Sequence, residues 1–189
     1  MHIRLATSAD VPELNGLIPL AARGLSEGFY SDRQTEAAIR YIFGVDTQLV
    51  ADQTYFVVQT EGTLVGCGGW SRRRSLYGGD KMKTGPDPLL DPATDAARIR
   101  AFFVHPGYAR RGIGSMLMRA CIAAAGAAGF RRLELVATLP GEPLYRRFGF
   151  AELERFEDAL PDTTRVPVVR MGAALADLTI RPAPLGPPI

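Results

Sequence analysis

Cysteine is scarce in this sequence: 189 residues contain two, Cys67 and Cys121. They lie far apart and outside metal-ligand spacing, which excludes a disulfide framework and a thiolate metal centre and leaves them as reduced core thiols. No run of about 18 apolar residues occurs, so the sequence offers no membrane-spanning helix. Met1, His2, Ile3, Arg4 and Leu5 open the chain without the apolar stretch of a secretory signal, which sets the expectation of a cytoplasmic protein. Charge of one sign is also lacking. The formal net charge is +2, and acids are interspersed among the pairs and triplets of arginine at 72–74, 110–111, 131–132 and 146–147. A nucleic-acid binder needs a concentrated basic face, so no nucleic-acid partner is expected. A local anion site survives that exclusion. Internal repeats are absent.

What is present is ordinary for one soluble domain: 47% hydrophobic and 22% charged residues. The reading is a single domain over residues 1–172, followed by a frayed, Pro-rich tail at 173–189. A strand at 2–6 leads to Asp10 and Glu13, spaced as a capping box, and Leu14, Leu17, Ile18 and Ala21 continue at helical period until Pro19 kinks or ends the helix. Ser31 and Gln34 form a second capping box ahead of Ala38, Ile39, Ile42 and Phe43. Residues 55–58 and 64–67 read as a hairpin about Glu61 and Gly62. The Gly, Pro and Asp density of 78–95 reads as a flexible insertion beside a functional site.

Residues 99–104 form a strand closed by His105, Pro106 and Gly107, and 112–128 form a helix stopped by Gly129. An apolar strand at 133–137 follows, which makes a right-handed crossover unit. Pro143 to Phe148 form a short helix capped by Gly149, and strands at 150–156 and 166–171 complete the sheet.

The turn between strand and long helix carries chemistry. Gly112 and Gly114 sit where a glycine permits positive φ and lets the backbone approach a ligand. The helix start adds unpaired N–H groups and a positive dipole end, and Arg110 and Arg111 add charge, so the segment suits a phosphate or pyrophosphate. A tight turn with no ligand is the alternative. No glycine-lysine pair before Ser or Thr supplies a P-loop, and Leu117 stands where a dinucleotide fingerprint needs its third glycine.

Together, residues 99–104, the Arg110-Arg111-Gly112-Ile113-Gly114 turn and the helix after it resemble the acetyl-CoA-binding motif of the GCN5-related N-acetyltransferase (GNAT) superfamily. Gly112 and Gly114 match the family pattern, whereas its Gln/Arg position holds Ala109. Downstream, Tyr145 to Phe150 resembles the family's Tyr-x-x-x-Gly-Phe. The resemblance is clear over 97–156 and follows element order over most of 1–171. It implies an α/β (α+β) fold with a central mixed, mostly antiparallel sheet of about six to seven strands, about four flanking helices and splayed parallel central strands.

It also implies acetyl-CoA as co-substrate and no metal. Backbone at Phe103 and Val104 would hold the pantetheine arm, and Arg110, Arg111, Gly112, Ile113, Gly114 and Ser115 the pyrophosphate. Tyr145 would protonate the departing thiolate: a phenol of pKa about 10 suits a thiol of pKa about 8.5. The strand at 99–104 carries no carboxylate, so the base stays unassigned among Glu142, Asp95, His105 and water. Residues 24–31 and 72–95 are expected to build the acceptor pocket, with Glu27 and Tyr30 as candidate cation contacts and Trp70 and Tyr77 as candidate walls. The expected partner is a small-molecule amine, with a homodimer open. A peptide or lysine amine, a non-catalytic acyl-CoA-binding module and an unrelated phosphate binder are the alternatives.

Overall fold

Alternating and helical apolar patterns resolve into seven strands and five α-helices among residues 1–82, 85 and 87–178, the residues described by the computed structural model. In chain order they are β1 (His2–Leu5), α1 (Val11–Ser26), α2 (Asp32–Tyr41), α3 (Thr47–Ala51), β2 (Tyr55–Thr60), β3 (Thr63–Ser71) and β4 (Ala97–Val104). Then come α4 (Ile113–Ala127), β5 (Arg132–Thr138), α5 (Glu142–Phe148), β6 (Ala151–Ala159) and β7 (Arg165–Ala174). One sheet in the order β1-β2-β3-β4-β5-β7-β6 holds all seven strands, and only β4 and β5 run parallel. None of the described helices is long and apolar enough to cross a membrane.

The parallel pair positions everything that follows. β4 and β5 are in register only at Ala97 with Leu133 and Arg98 with Glu134. Beyond them Ala101 adopts a φ of 55°, and the pairing of β4 with β3 slips between Cys67 and Gly69. An unpaired extra residue bends a strand, so β4 swings away from β5 and leaves a wedge. The Tyr55 hydroxyl, fully buried, donates to the Ala101 carbonyl at 3.3 Å and supports the bend.

Both faces of the sheet are covered. On one, α4 packs Met118, Cys121 and Ile122 with Ile99, Leu133, Leu135 and Phe148. On the other, α1 buries Leu14, Leu17 and Ile18 with Tyr55, Val57 and Cys67, while Ala37 and Ala38 of α2 meet Val166 and Val168. Both cysteines are buried and unpaired.

Several sequence expectations change. α1 runs through Pro19, which sits on the half-exposed side of the helix and leaves the Asn15 carbonyl without its helical N–H donor. Asp10 does not cap α1 with Glu13. Its carboxylate accepts the Thr7 N–H at 2.7 Å and a bidentate pair from Arg4 at 2.8 and 2.7 Å, and Glu13 instead accepts the Leu64 N–H. The 78–95 insertion is tied down at its described flanks: Arg74 N–H donates to Pro88, Leu90 N–H donates to Arg72, and Leu90 is buried. β7 continues past Gly172, and Leu178 packs in the core beyond a 3₁₀ turn at Leu175–Asp177. Residues 179–189 of the expected tail lie outside the described residues.

The Arg4 guanidinium holds the Asp10 carboxyl down at about 2. A depressed folded-state pKa means stability that is complete above the unfolded value near 4 and lost as pH falls through about 2. Acid titration of Asp10→Asn should lack that limb, worth on the order of 1–2 kcal/mol. Identical acid curves for the two proteins contradict the assignment.

Candidate active site

A cavity of about 550 Å³ lies where β4 leaves β5, a volume typical of small-molecule sites. Residues 99–104 form one wall and Val136 and Thr138 of β5 face them. At one end stands the start of α4. Gly112 is its N-cap with a φ of 85°, Arg110 two residues earlier has a φ of 63°, and Met116 is the residue whose N–H reaches the Gly112 carbonyl. The amides of Ile113, Gly114 and Ser115 therefore precede the helical ladder, at the positive end of its dipole. A Cβ on Gly112 would meet nothing within 4 Å, so the space over it is open. Gly114 serves a different purpose: a Cβ there would come 3.0 Å from Leu144, so its smallness seats α5 against α4. Arg147 also lines the cavity.

Tyr145 comes from α5, which Gly149 terminates with a φ of 99°. It lines the cavity between the rings of Phe102 and Phe150, at centroid distances of 6.2 and 6.1 Å. Burial pushes its phenol well above the usual value, with Cys121 adding to the shift. The phenol is therefore neutral at any working pH and a hydrogen-bond donor, and the same burial makes it a weaker acid than a free phenol.

The opposite end is built by the α1–α2 connection and by residues 77–79, with Phe29, Phe43 and Tyr77 among its walls. Its floor holds Arg100, 4% exposed, paired with fully buried Asp46 at 2.6 Å and with Asp87 at 3.7 Å, and donating to the Gly78 carbonyl.

The acetyltransferase (GNAT) family model matches residues 21–150, more than half of the chain. The chain belongs to the acetyltransferase (GNAT) family. Solved GNAT structures share the fold. A GCN5-related N-acetyltransferase from Rhodopseudomonas palustris superimposes with a TM-score of 0.65 at 19% identity, covering 92% of this chain and 94% of its own. A putative acetyltransferase, yncA from Salmonella typhimurium with its cofactor acetyl-CoA, gives 0.60 at 17% identity, covering 98% of each chain. The PaiA N-acetyltransferase from Thermoplasma acidophilum, in complex with coenzyme A, gives 0.60 at 13%, covering 92% and 98%. Among curated proteins, no sequence matches the chain.

In this GNAT domain Phe103, Val104, Arg110, Gly112, Ile113, Gly114, Ser115 and Tyr145 all line the one cavity. Arg111 does not; its guanidinium stacks over the Tyr108 ring at 5.1 Å. None of the three candidate bases is in the cavity lining, and each has a partner of its own. Glu142 is paired with Arg146 and Arg155, Asp95 accepts the Asp91 N–H, and the His105 imidazole accepts the Gly107 N–H. Tyr30 is a brace rather than a cation contact: its buried hydroxyl donates to the Pro167 carbonyl at 2.7 Å and accepts the Leu139 N–H at 2.9 Å. Burial raises that phenol to about 12. Glu27 is exposed and lies outside the cavity lining, and Trp70 packs against Phe130 in the core. Tyr77 does wall the cavity, and beside it stands a carboxylate that the sequence did not mark, Asp158 of β6.

Proposed function

We propose that the chain is an acetyl-CoA-dependent N-acetyltransferase that moves an acetyl group to a small-molecule primary amine by direct attack. One observation carries the reading: a single cavity joins the wedge between β4 and β5, the open space over Gly112 at the α4 N-terminus, and the Tyr145 phenol. The chemistry of these donors suits acetyl-CoA. Amides of the first α4 turn and Arg110 match a pyrophosphate. Where β4 has lost its β5 partner, its backbone offers hydrogen bonds to the amides of a pantetheine arm, as an added strand would.

In this reading the amine attacks the thioester carbonyl, the C–N bond forms, and the C–S bond breaks. Backbone N–H groups near Phe103 and Val104 polarise the carbonyl and stabilise the oxyanion. Tyr145 gives its proton to the leaving thiolate. β4 carries no carboxylate, and the proton lost by the amine passes to water. The small-molecule preference rests on the aromatic walls of the acceptor end, Phe29, Phe43 and Tyr77.

Isothermal titration of the purified protein with acetyl-CoA tests the reading, with saturable one-to-one binding as the expected result. Absence of binding overturns it. Tyr145→Phe should keep that affinity, since the ring packing on Phe102 and Phe150 is unchanged, while kcat falls about 100-fold. Unchanged kcat removes the phenol from the chemistry.

A further inference from the structure

Asp158 has an unusual position for an acid. On β6 it shares a face with Phe156, and just past the strand Leu160 follows at the same period, so its side chain points to the face that α2 and Tyr77 cover, while Glu157 and Ala159 point to solvent. Register with β7 sets it opposite Val166, which lines the cavity with it. Among the described residues it is the one carboxylate in the cavity lining, and its Oδ2 is buried without a hydrogen-bond partner, the Tyr77 hydroxyl being the one donor beside the carboxylate. A buried carboxylate oxygen is costly unless a cation or donor meets it.

The surroundings say what kind of group completes it. Arg100 lines the same cavity, but its charge is already matched by Asp46 and Asp87. Arg100 is thus taken up by partners of its own, and the Asp158 carboxylate, which faces the cavity itself, favours a cation there and disfavours a substrate carboxylate. The remaining walls are apolar, with Phe29, Phe43, Phe102, Val166 and Val168 among them. The Tyr77 hydroxyl sits next to Asp158, its pKa raised to about 12 by burial first and by that carboxylate second, so it stays a neutral donor at the same spot.

We infer that Asp158 is the specificity-determining contact of the acceptor site, pairing through Oδ2 with the ammonium of an arriving amine that carries an apolar body and no carboxylate; that ammonium gives up a proton to water before the neutral amine attacks. The inference deepens the transferase reading and rests on it for the fate of the amine. The contact itself is a binding event and is tested apart from acetyl transfer.

Titration calorimetry of the full chain at pH 7.5, with 2-phenylethylamine, 2-phenylethanol and phenylalanine, is the test. The amine should bind at least tenfold tighter than the alcohol, which has the same shape without the charge, and at least tenfold tighter than phenylalanine, whose carboxylate meets a negative site. In Asp158→Asn the amine should fall to the affinity of the alcohol, with alcohol binding retained as proof of an intact cavity. Equal wild-type affinities for amine and alcohol overturn the inference with no variant needed. So does a preference for the amine that survives Asp158→Asn, or phenylalanine binding as tightly as the amine. A parallel titration with acetyl-CoA separates the two readings: an amine preference without acetyl-CoA binding sinks the transferase and leaves the Asp158 contact standing.

Discussion

Gly112→Glu should weaken acetyl-CoA binding by at least about 1,000-fold, roughly 4 kcal/mol. Two effects combine. A side chain at a φ of 85° is strained by about 1–2 kcal/mol. More important, the new carboxylate occupies the open space over the α4 N-terminus, where the proposed pyrophosphate sits. Like charges about 4 Å apart near a protein surface repel by about 4 kcal/mol. Because a Cβ there meets nothing within 4 Å, the protein itself has room for the substitution and should fold. Gly112→Ala supplies the comparison: strain without charge should cost only about tenfold. Calorimetric titration with acetyl-CoA reads both. If Gly112→Glu retains wild-type affinity, the anion is bound elsewhere.

Arg100→Met should destabilise the fold by about 3–5 kcal/mol, the cost of leaving buried carboxylates without their cation. The guanidinium is 4% exposed and its partner Asp46 fully buried, so solvent cannot replace the lost pairing. Methionine keeps most of the volume, which isolates charge from packing. Urea unfolding should show the midpoint falling with the slope unchanged, and Tm should drop by about 10 °C. A loss below about 1 kcal/mol means that the Asp46 carboxylate does not depend on Arg100. The same residue roofs the peptide carbonyl of Gly78, so its loss should also loosen the acceptor end of the cavity.

Local signals carried much of the architecture. The Ser31 capping box stands as read, with Gln34 N–H on the Ser31 hydroxyl and the Gln34 amide oxygen on the Ser31 N–H. Strand patterns, the crossover through α4, and the Gly149 stop after α5 are all properties of short segments, and each is legible from a few residues. The glycine turn and Tyr145 were legible as motifs, and the fold brings them into one cavity.

What escaped was set by pairing across the sheet. The splay of β4 from β5 was expected from the family resemblance, but the bulge at Ala101 that opens it was not: nothing about an alanine between Arg100 and Phe102 announces a φ of 55°. Asp10 read as a helix cap because the sequence shows Glu13 three residues on; Arg4, from the neighbouring strand, claims it instead. Asp158 reads as one of several surface acids in β6 until the register with β7 and the approach of Tyr77 place it at the cavity. Tyr30 looked like a loop residue able to meet a cation, yet its partners lie 109 and 137 residues away in sequence. Tertiary partners of that kind leave no local trace.

Thiol release from acetyl-CoA, followed with and without 2-phenylethylamine and matched to N-acetyl product by mass spectrometry, tests the central claim most directly. The account predicts amine-dependent release with one acetylated amine per thiol. Release that is the same without amine, or release that yields acetate and no amide, contradicts it.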